Sequence, residues 1–264
     1  MQSEEPVADT LRVSVLQYAP RWEDRDANLA ILDGMLASMA PTDVLLLPEM
    51  FATGFSMRTA VVTEPPEGPV WQWMRRTAAA TGALLAGSVA VAEHGRFYNR
   101  MYGVYPSGGT VWYDKRHLFR MGKEHLHYVP GMARTVWRWK GWRLLPQVCY
   151  DLRFPVWSRN RNDYDVALYA TNWPAPRHDV LLTLAAARAL ENSCYVVFSN
   201  RLGEDAGGIS YAGASRIIDF KGRPLAALDH APGMVSAELS RAGLDSFRSR
   251  FPVWMDTDFF SIQG

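Results

Sequence analysis

Between residues 11 and 92 the chain alternates short apolar strands with amphipathic helices, and this order constrains the fold more than any other feature. "LRVSVLQ" alternates apolar and polar positions as a strand does, and "DANLAILDGMLASMA" repeats Leu29, Leu32, Leu36 and Met39 at helical spacing behind Asp26 as the expected cap. "DVLLLPEM" reads as a short, fully buried strand stopped by Pro48, with Glu49 just past its carboxyl end. In "EGPVWQWMRRTAAATG" Pro69 suits a first helical turn and Gly82 a helix end, after which "ALLAGSVAVA" returns as a strand. Hairpins follow, turning at Ser107 to Gly109 and at Lys140-Gly141. Further on come a strand "DVALYA", a helix "HDVLLTLAAARALENS", a strand "CYVVFSN" and a hairpin through "DFKG" before "MVSAEL". The expected class is α/β, with mixed sheets covered by helices. Pro146 has no N–H to give to a ladder, so its place in "RLLPQVC" predicts an edge or a bulge.

No linker, repeat or low-complexity tract divides the 264 residues, so the reading is a loose arm over residues 1–10 and one domain over 11–264. Hydrophobic residues at 48% and charged residues at 21% speak for a soluble, folded chain rather than a disordered or fibrous one. A net charge of +1 with interspersed signs gives no footprint for nucleic acid or an anionic membrane, and favours a small-molecule partner. No apolar run is long enough for a membrane helix, and "MQSEEPVADT" lacks the features of a secretory leader. Two cysteines cannot form a disulfide framework, and their scarcity points to a reducing cytoplasm.

Glu49, Lys115 and Cys149 each sit where a strand stops. Reactive groups of open α/β sheets gather at carboxyl ends of strands, so these three are expected in one crevice. A free thiol, with a pKa of about 8.5, is only a few per cent thiolate at neutral pH, so it needs a nearby base or cation to attack a carbonyl. Glu49 supplies the base and Lys115 the cation. The backbone N–H of Tyr150 would help Lys115 hold a developing oxyanion. The thioester formed on sulfur would then be cleared by water.

The blocks "LLLPEMFATGFSM", "YDKRHLFRMGKEHLHYVPG", "QVCYDLRFPVWSRN" and "YATNWPAP" together resemble the nitrilase superfamily, and within it the omega-amidase branch, over residues 11 to 260. The resemblance implies a four-layer αββα sandwich, a Glu-Lys-Cys triad at Glu49, Lys115 and Cys149, and a second glutamate at Glu124. It also implies a homodimer, no cofactor and hydrolysis of the terminal amide of 2-oxo dicarboxylic acid monoamides such as 2-oxoglutaramate or 2-oxosuccinamate.

The other candidates have plainer readings beside these. Cys194, in an apolar strand, is expected to be a core thiol. His117, His125 and His127 share one segment and raise a zinc site with Cys149, but lack the helical or C-x-x-C spacing of one, so solvated loop histidines and no metal are expected. Phe51, Phe119 and Trp173 follow the reactive strands closely enough to wall a pocket. A substrate carboxylate calls for a guanidinium, and Arg120, Arg153, Arg177 and Arg201 are all near; Arg153 could instead pair with Asp151. An N-carbamoyl-amine hydrolase, a general aliphatic amidase, or a binding protein that keeps the three residues as a relic stand as alternative functions.

Overall fold

The computed structural model describes residues 8–258, 260 and 261. In chain order the first half holds β1 (Thr10–Gln17), α1 (Arg25–Leu36), β2 (Val44–Leu46), α2 (Thr59–Val62), α3 (Pro69–Thr81), β3 (Leu84–Glu93), β4 (Arg96–Val104) and β5 (Thr110–Asp114). The second half holds β6 (Trp137–Trp139), β7 (Trp142–Val148), α4 (Pro155–Ser158), β8 (Val166–Ala170), α5 (His178–Asn192), β9 (Tyr195–Ser199), β10 (Leu202–Glu204), β11 (Ser210–Ala212), β12 (Arg216–Ile218), β13 (Pro224–Ala227), β14 (Gly233–Ser240) and α6 (Arg241–Arg250). Two six-stranded mixed sheets result, ordered β14-β1-β2-β3-β4-β5 and β13-β12-β9-β8-β7-β6, with β10 and β11 as a separate ribbon.

Alternation along the strands explains why the sheets stack. On β1, Leu11, Val13 and Val15 face inward and share a buried cluster with Leu144, Val166, Leu168 and Val197 of the second sheet. Leu16 faces the other way, with Leu45, Leu47 and Leu85, onto Leu32 of α1 and Val70, Met74 and Ala78 of α3. Leu181, Ala185 and Ala189 of α5 cover the outer face of the second sheet. Helices, two sheets and helices thus form four layers, the architecture the resemblance implies.

The hairpins fall where the turn residues place them. The start of α1 differs from expectation: Asp24, not Asp26, is the cap, its carboxylate accepting the Ala27 N–H at 3.1 Å. Residues 8–10 are not loose. Ala8 N–H donates to Lys140 O, Trp142 Nε1 donates to Ala8 O, and Thr10 already pairs with Ser240 in β1. The rest of the expected arm, residues 1–7, lies outside the described residues. Pro146 lies in β7 opposite Leu168 of β8, while β6 pairs only with residues 142–144. Arg143 turns its carbonyl toward the β8 side, where it accepts from Asp165 N, so alternation points the Pro146 nitrogen to the side that β6 has already left. Among the described residues no helix is long and apolar enough to cross a membrane.

Candidate active site

Three loop segments, each released from a strand, bring the reactive side chains together. After β2 the chain passes Pro48 and is fixed at Glu49, whose carbonyl accepts Asn172 Nδ2 at 3.0 Å. Lys115 follows β5 directly; its N–H donates to Asn99 O and its carbonyl accepts Gly131 N, both at 2.9 Å. That second contact requires glycine, because a Cβ at residue 131 would lie 2.0 Å from Asp114 O. Cys149 begins the turn of 3-10 helix after β7 with φ of +44°, a left-handed conformation rare for a residue with a Cβ.

Asp151 holds that turn. Fully buried, its carboxylate accepts Val148 N–H at 3.0 Å, His117 N–H at 2.9 Å and the Tyr113 hydroxyl at 2.9 Å, and pairs with His117 Nδ1 at 2.7 Å. The segment carrying Lys115 and the turn carrying Cys149 are therefore tied through one carboxylate. Asp151 has no bond to Arg153, and among the described residues Arg153 has no ion-pair partner.

Lys115 Nζ donates to Glu49 Oε1 at 2.7 Å and to Glu124 Oε2 at 2.9 Å, with all three side chains at most 1% exposed. Asn99 Nδ2 bridges the same two carboxylates, at 2.8 Å to Glu49 and 3.0 Å to Glu124. The other Glu49 oxygen accepts the Asn172 N–H at 3.1 Å. The charge of Glu49 and the Asn172 backbone both act on the Cys149 thiol. Burial lowers the pKa of the Lys115 ammonium, but Glu124, Glu49 and Cys149 outweigh it and hold it above its ordinary range. Burial raises Glu49 above the usual carboxylate range, Lys115 opposes this, and Glu124 adds to it. The Cys149 thiol is pushed well up, by burial first and Glu49 second, against the pull of Lys115.

Glu49, Lys115 and Cys149 line one cavity of about 610 Å³, with Cys149 8% exposed at its floor. Glu124 is sealed behind Lys115 and does not line it; it also accepts the Phe119 N–H at 2.6 Å. Phe119, Tyr150, Arg153 and Trp173 form part of the wall. Phe51 does not. Met50 adopts φ of +43° and turns Phe51 back under the first sheet, where it packs against Trp73 and meets the space left by Gly87.

Of the remaining arginines, Arg177 lines the cavity, Arg120 is exposed outside it, and Arg201 is buried against Tyr211 with its guanidinium on the carbonyls of Leu202 and Glu204. Cys194 is a core thiol, its pKa raised by burial to about 12. His117 is engaged with Asp151, His127 is exposed, and among the described residues no group of three His, Cys, Asp or Glu is placed to hold a metal ion. Asn99 and Asn172 were not singled out from sequence, and Asp151 only as a partner for Arg153; single polar residues in strands and loops carry no periodic signal, though Asp151 and Asn172 lie inside the quoted blocks.

A fold of stacked αββα layers with a buried carboxylate, ammonium and thiol on one cavity defines a class of hydrolases of carbon–nitrogen bonds. The Carbon-nitrogen hydrolase family model matches residues 12–249, and the chain belongs to that family, in the omega-amidase-like branch of the nitrilase superfamily. It is 48% identical over 253 residues to Omega-amidase YafV of Escherichia coli, covering 96% of this chain and 98% of that one. Identity to 2-oxoglutaramate amidase of Bacillus subtilis is 35%, covering 81% of this chain and 84% of that protein. A CN-hydrolase superfamily protein of Xanthomonas campestris, solved with an arsenic adduct in its active site, superposes with a TM-score of 0.95 at 41% identity, covering 97% of this chain and 100% of the other.

Proposed function

We propose that the protein hydrolyses the terminal amide of small omega-amides, of which 2-oxoglutaramate and 2-oxosuccinamate are the expected examples, to the carboxylic acid and ammonia. The observation that carries the reading is the pairing of the Glu49 carboxylate with Lys115 on one cavity that the Cys149 thiol also lines. The names borne by the relatives above support the choice of amide.

The thiol is held neutral, so attack and proton loss must occur together. As Sγ bonds to the amide carbon, its proton passes to Glu49, and the electron pair of the C=O moves onto oxygen. Lys115 and the Tyr150 N–H, near the start of the 3-10 turn where helical N–H groups lack internal partners, are assigned to that oxyanion. Collapse breaks the C–N bond, Glu49 returns the proton to the departing nitrogen, and ammonia leaves. Water, deprotonated by Glu49, then attacks the thioester; the acid departs and the sulfur regains its proton. Glu124 and Asn99 fix the position of Lys115 and Glu49 rather than meeting substrate. Arg153, on the cavity wall, is assigned to the substrate carboxylate. By the same resemblance the working form is a homodimer, and the two free thiols favour the cytoplasm.

Ammonia release from 2-oxoglutaramate by Cys149→Ala is expected to fall below detection while its circular dichroism matches wild type. Undiminished release by that variant would overturn the mechanism. Faster turnover of N-carbamoyl amines or nitriles than of 2-oxoglutaramate would overturn the substrate assignment.

A further inference from the structure

Three arginines line the cavity, and they are not equivalent. Arg58 is already neutralised, its Nη1 2.6 Å from Glu23 Oε2. Arg153 and Arg177 have no ion-pair partner among the described residues. Each lies instead on an aromatic face: Arg153 at 5.1 Å from the Trp173 ring and Arg177 at 5.5 Å from the Phe119 ring. The two rests are linked, since Trp173 Nε1 donates to Arg177 O at 2.8 Å. Among the described residues the one polar contact of the Arg177 guanidinium is a weak one, Nη2 to Met121 Sδ at 3.5 Å.

A guanidinium stacked on a ring keeps the N–H donors along its edge free, and that edge fits a carboxylate in bidentate fashion. Asp205, an acid that also lines the cavity, does not pair with either guanidinium. Its oxygens accept Gly207 N at 2.8 Å, Ile209 N at 3.0 Å and the Tyr211 hydroxyl at 2.9 Å, all from its own turn.

We propose that Arg177 is a specificity-determining residue that grips the anionic end of the substrate and, with Arg153, selects 2-oxo acid amides over amides carrying an α-ammonium. The assignment rests on the omega-amide reading above and names the residue that enforces it. A 2-oxo carboxylate presents only acceptor oxygens, which two guanidiniums can share. An α-amino acid amide of the same length replaces the oxo acceptor by a cationic donor, which faces two like charges. Discrimination therefore comes from repulsion as well as from attraction.

The test uses the full-length protein and ammonia release from 2-oxoglutaramate, pentanamide and L-glutamine, for wild type, Arg177→Met and Arg177→Lys. Methionine keeps an apolar stem over Phe119 while removing the charged fork. We expect Arg177→Met to lower kcat/KM for 2-oxoglutaramate by about 10- to 100-fold, mainly through KM, as loss of a charged hydrogen-bonding partner does. Pentanamide turnover should stay within about twofold, and the preference for 2-oxoglutaramate over L-glutamine should shrink by about tenfold or more. Arg177→Lys should recover part of the loss. Equal losses on 2-oxoglutaramate and pentanamide, or a selectivity that Arg177→Met leaves intact, would overturn the assignment alone. A wild-type enzyme that cleaves pentanamide as well as 2-oxoglutaramate would overturn both the assignment and the reading beneath it.

Discussion

The Lys115 ammonium donates to the Glu49 carboxylate at 2.7 Å where each side chain is 1% exposed, so neither charge is compensated by water. Removing one partner of such a pair costs several kcal/mol, whereas tuning it from a distance is milder. Glu124 does the tuning: it bonds Lys115 and, through its charge, raises Glu49.

Glu49 accepts the thiol proton only when ionised, and its pKa lies above the ordinary 4.5, so the acidic limb of kcat/KM against pH belongs above that value. In Glu124→Gln the repulsion between carboxylates is gone, Glu49 becomes more acidic, and the limb moves to lower pH. At the same time kcat should drop by about 10- to 100-fold, as Lys115 loses an anchor. A pH-rate profile of the variant checks both, and a limb displaced to higher pH contradicts the account.

Asp151→Asn replaces an acceptor of three N–H or O–H donors and a paired imidazole by a group that is itself half donor. Loss of about 1–3 kcal/mol of stability is expected, measured by denaturant titration. Alkylation of Cys149 by iodoacetamide should slow in the folded variant, because the left-handed turn that presents sulfur is no longer held. His117→Gln, which spares the bonds to Val148 and Tyr113, should show a smaller change of the same sign.

Thiol counting separates the two cysteines. Cys194 is fully buried with its pKa raised to about 12, while Cys149 opens on the cavity. The native protein should titrate as one reactive thiol with a small disulfide reagent, and the unfolded protein as two. Retention of one fast thiol in Cys149→Ala would contradict the assignment.

Acid stability should depend on Asp165, buried among Arg143, Arg241 and Arg248. Burial raises its carboxyl, but Arg143 and Arg241 outweigh this and hold it at about 2, against an ordinary 3.8. The folded value lies below the unfolded one, so the stabilisation is complete above about pH 4 and disappears as pH falls toward 2. Its size is about 2 kcal/mol. Urea midpoints measured between pH 5 and 2 should fall steeply in wild type. In Asp165→Asn they should start lower and vary less.

The strand ends that carry Glu49, Lys115 and Cys149 were readable in the sequence because apolar runs stop abruptly at each of them. Mixed sheets covered by helices were readable as well, from the period of two in the strands and the helical spacing between them, whereas the order of four layers came from the resemblance. What escaped was decided by backbone direction. Phe51 follows Glu49 by two residues, and only the left-handed Met50 turns it away from the cavity. Asn99 lies on β4, remote in sequence from both carboxylates it joins, and nothing local marks it. Asp24 and Asp26 are both chemically fit to cap α1, and the choice depends on which backbone leaves the helix first. The four arginines were indistinguishable until their surroundings separated an exposed one, a buried one and two stacked ones from each other.

Pro146 also spares the interior an unpaired donor. Beyond Leu144 the flank of β7 carries no neighbouring strand among the described residues, yet Leu145, Pro146, Gln147 and Val148 are all buried there. The pyrrolidine nitrogen has no N–H to leave without a ladder partner at that point, so Pro146→Val should cost about 1–3 kcal/mol, read from denaturant titration.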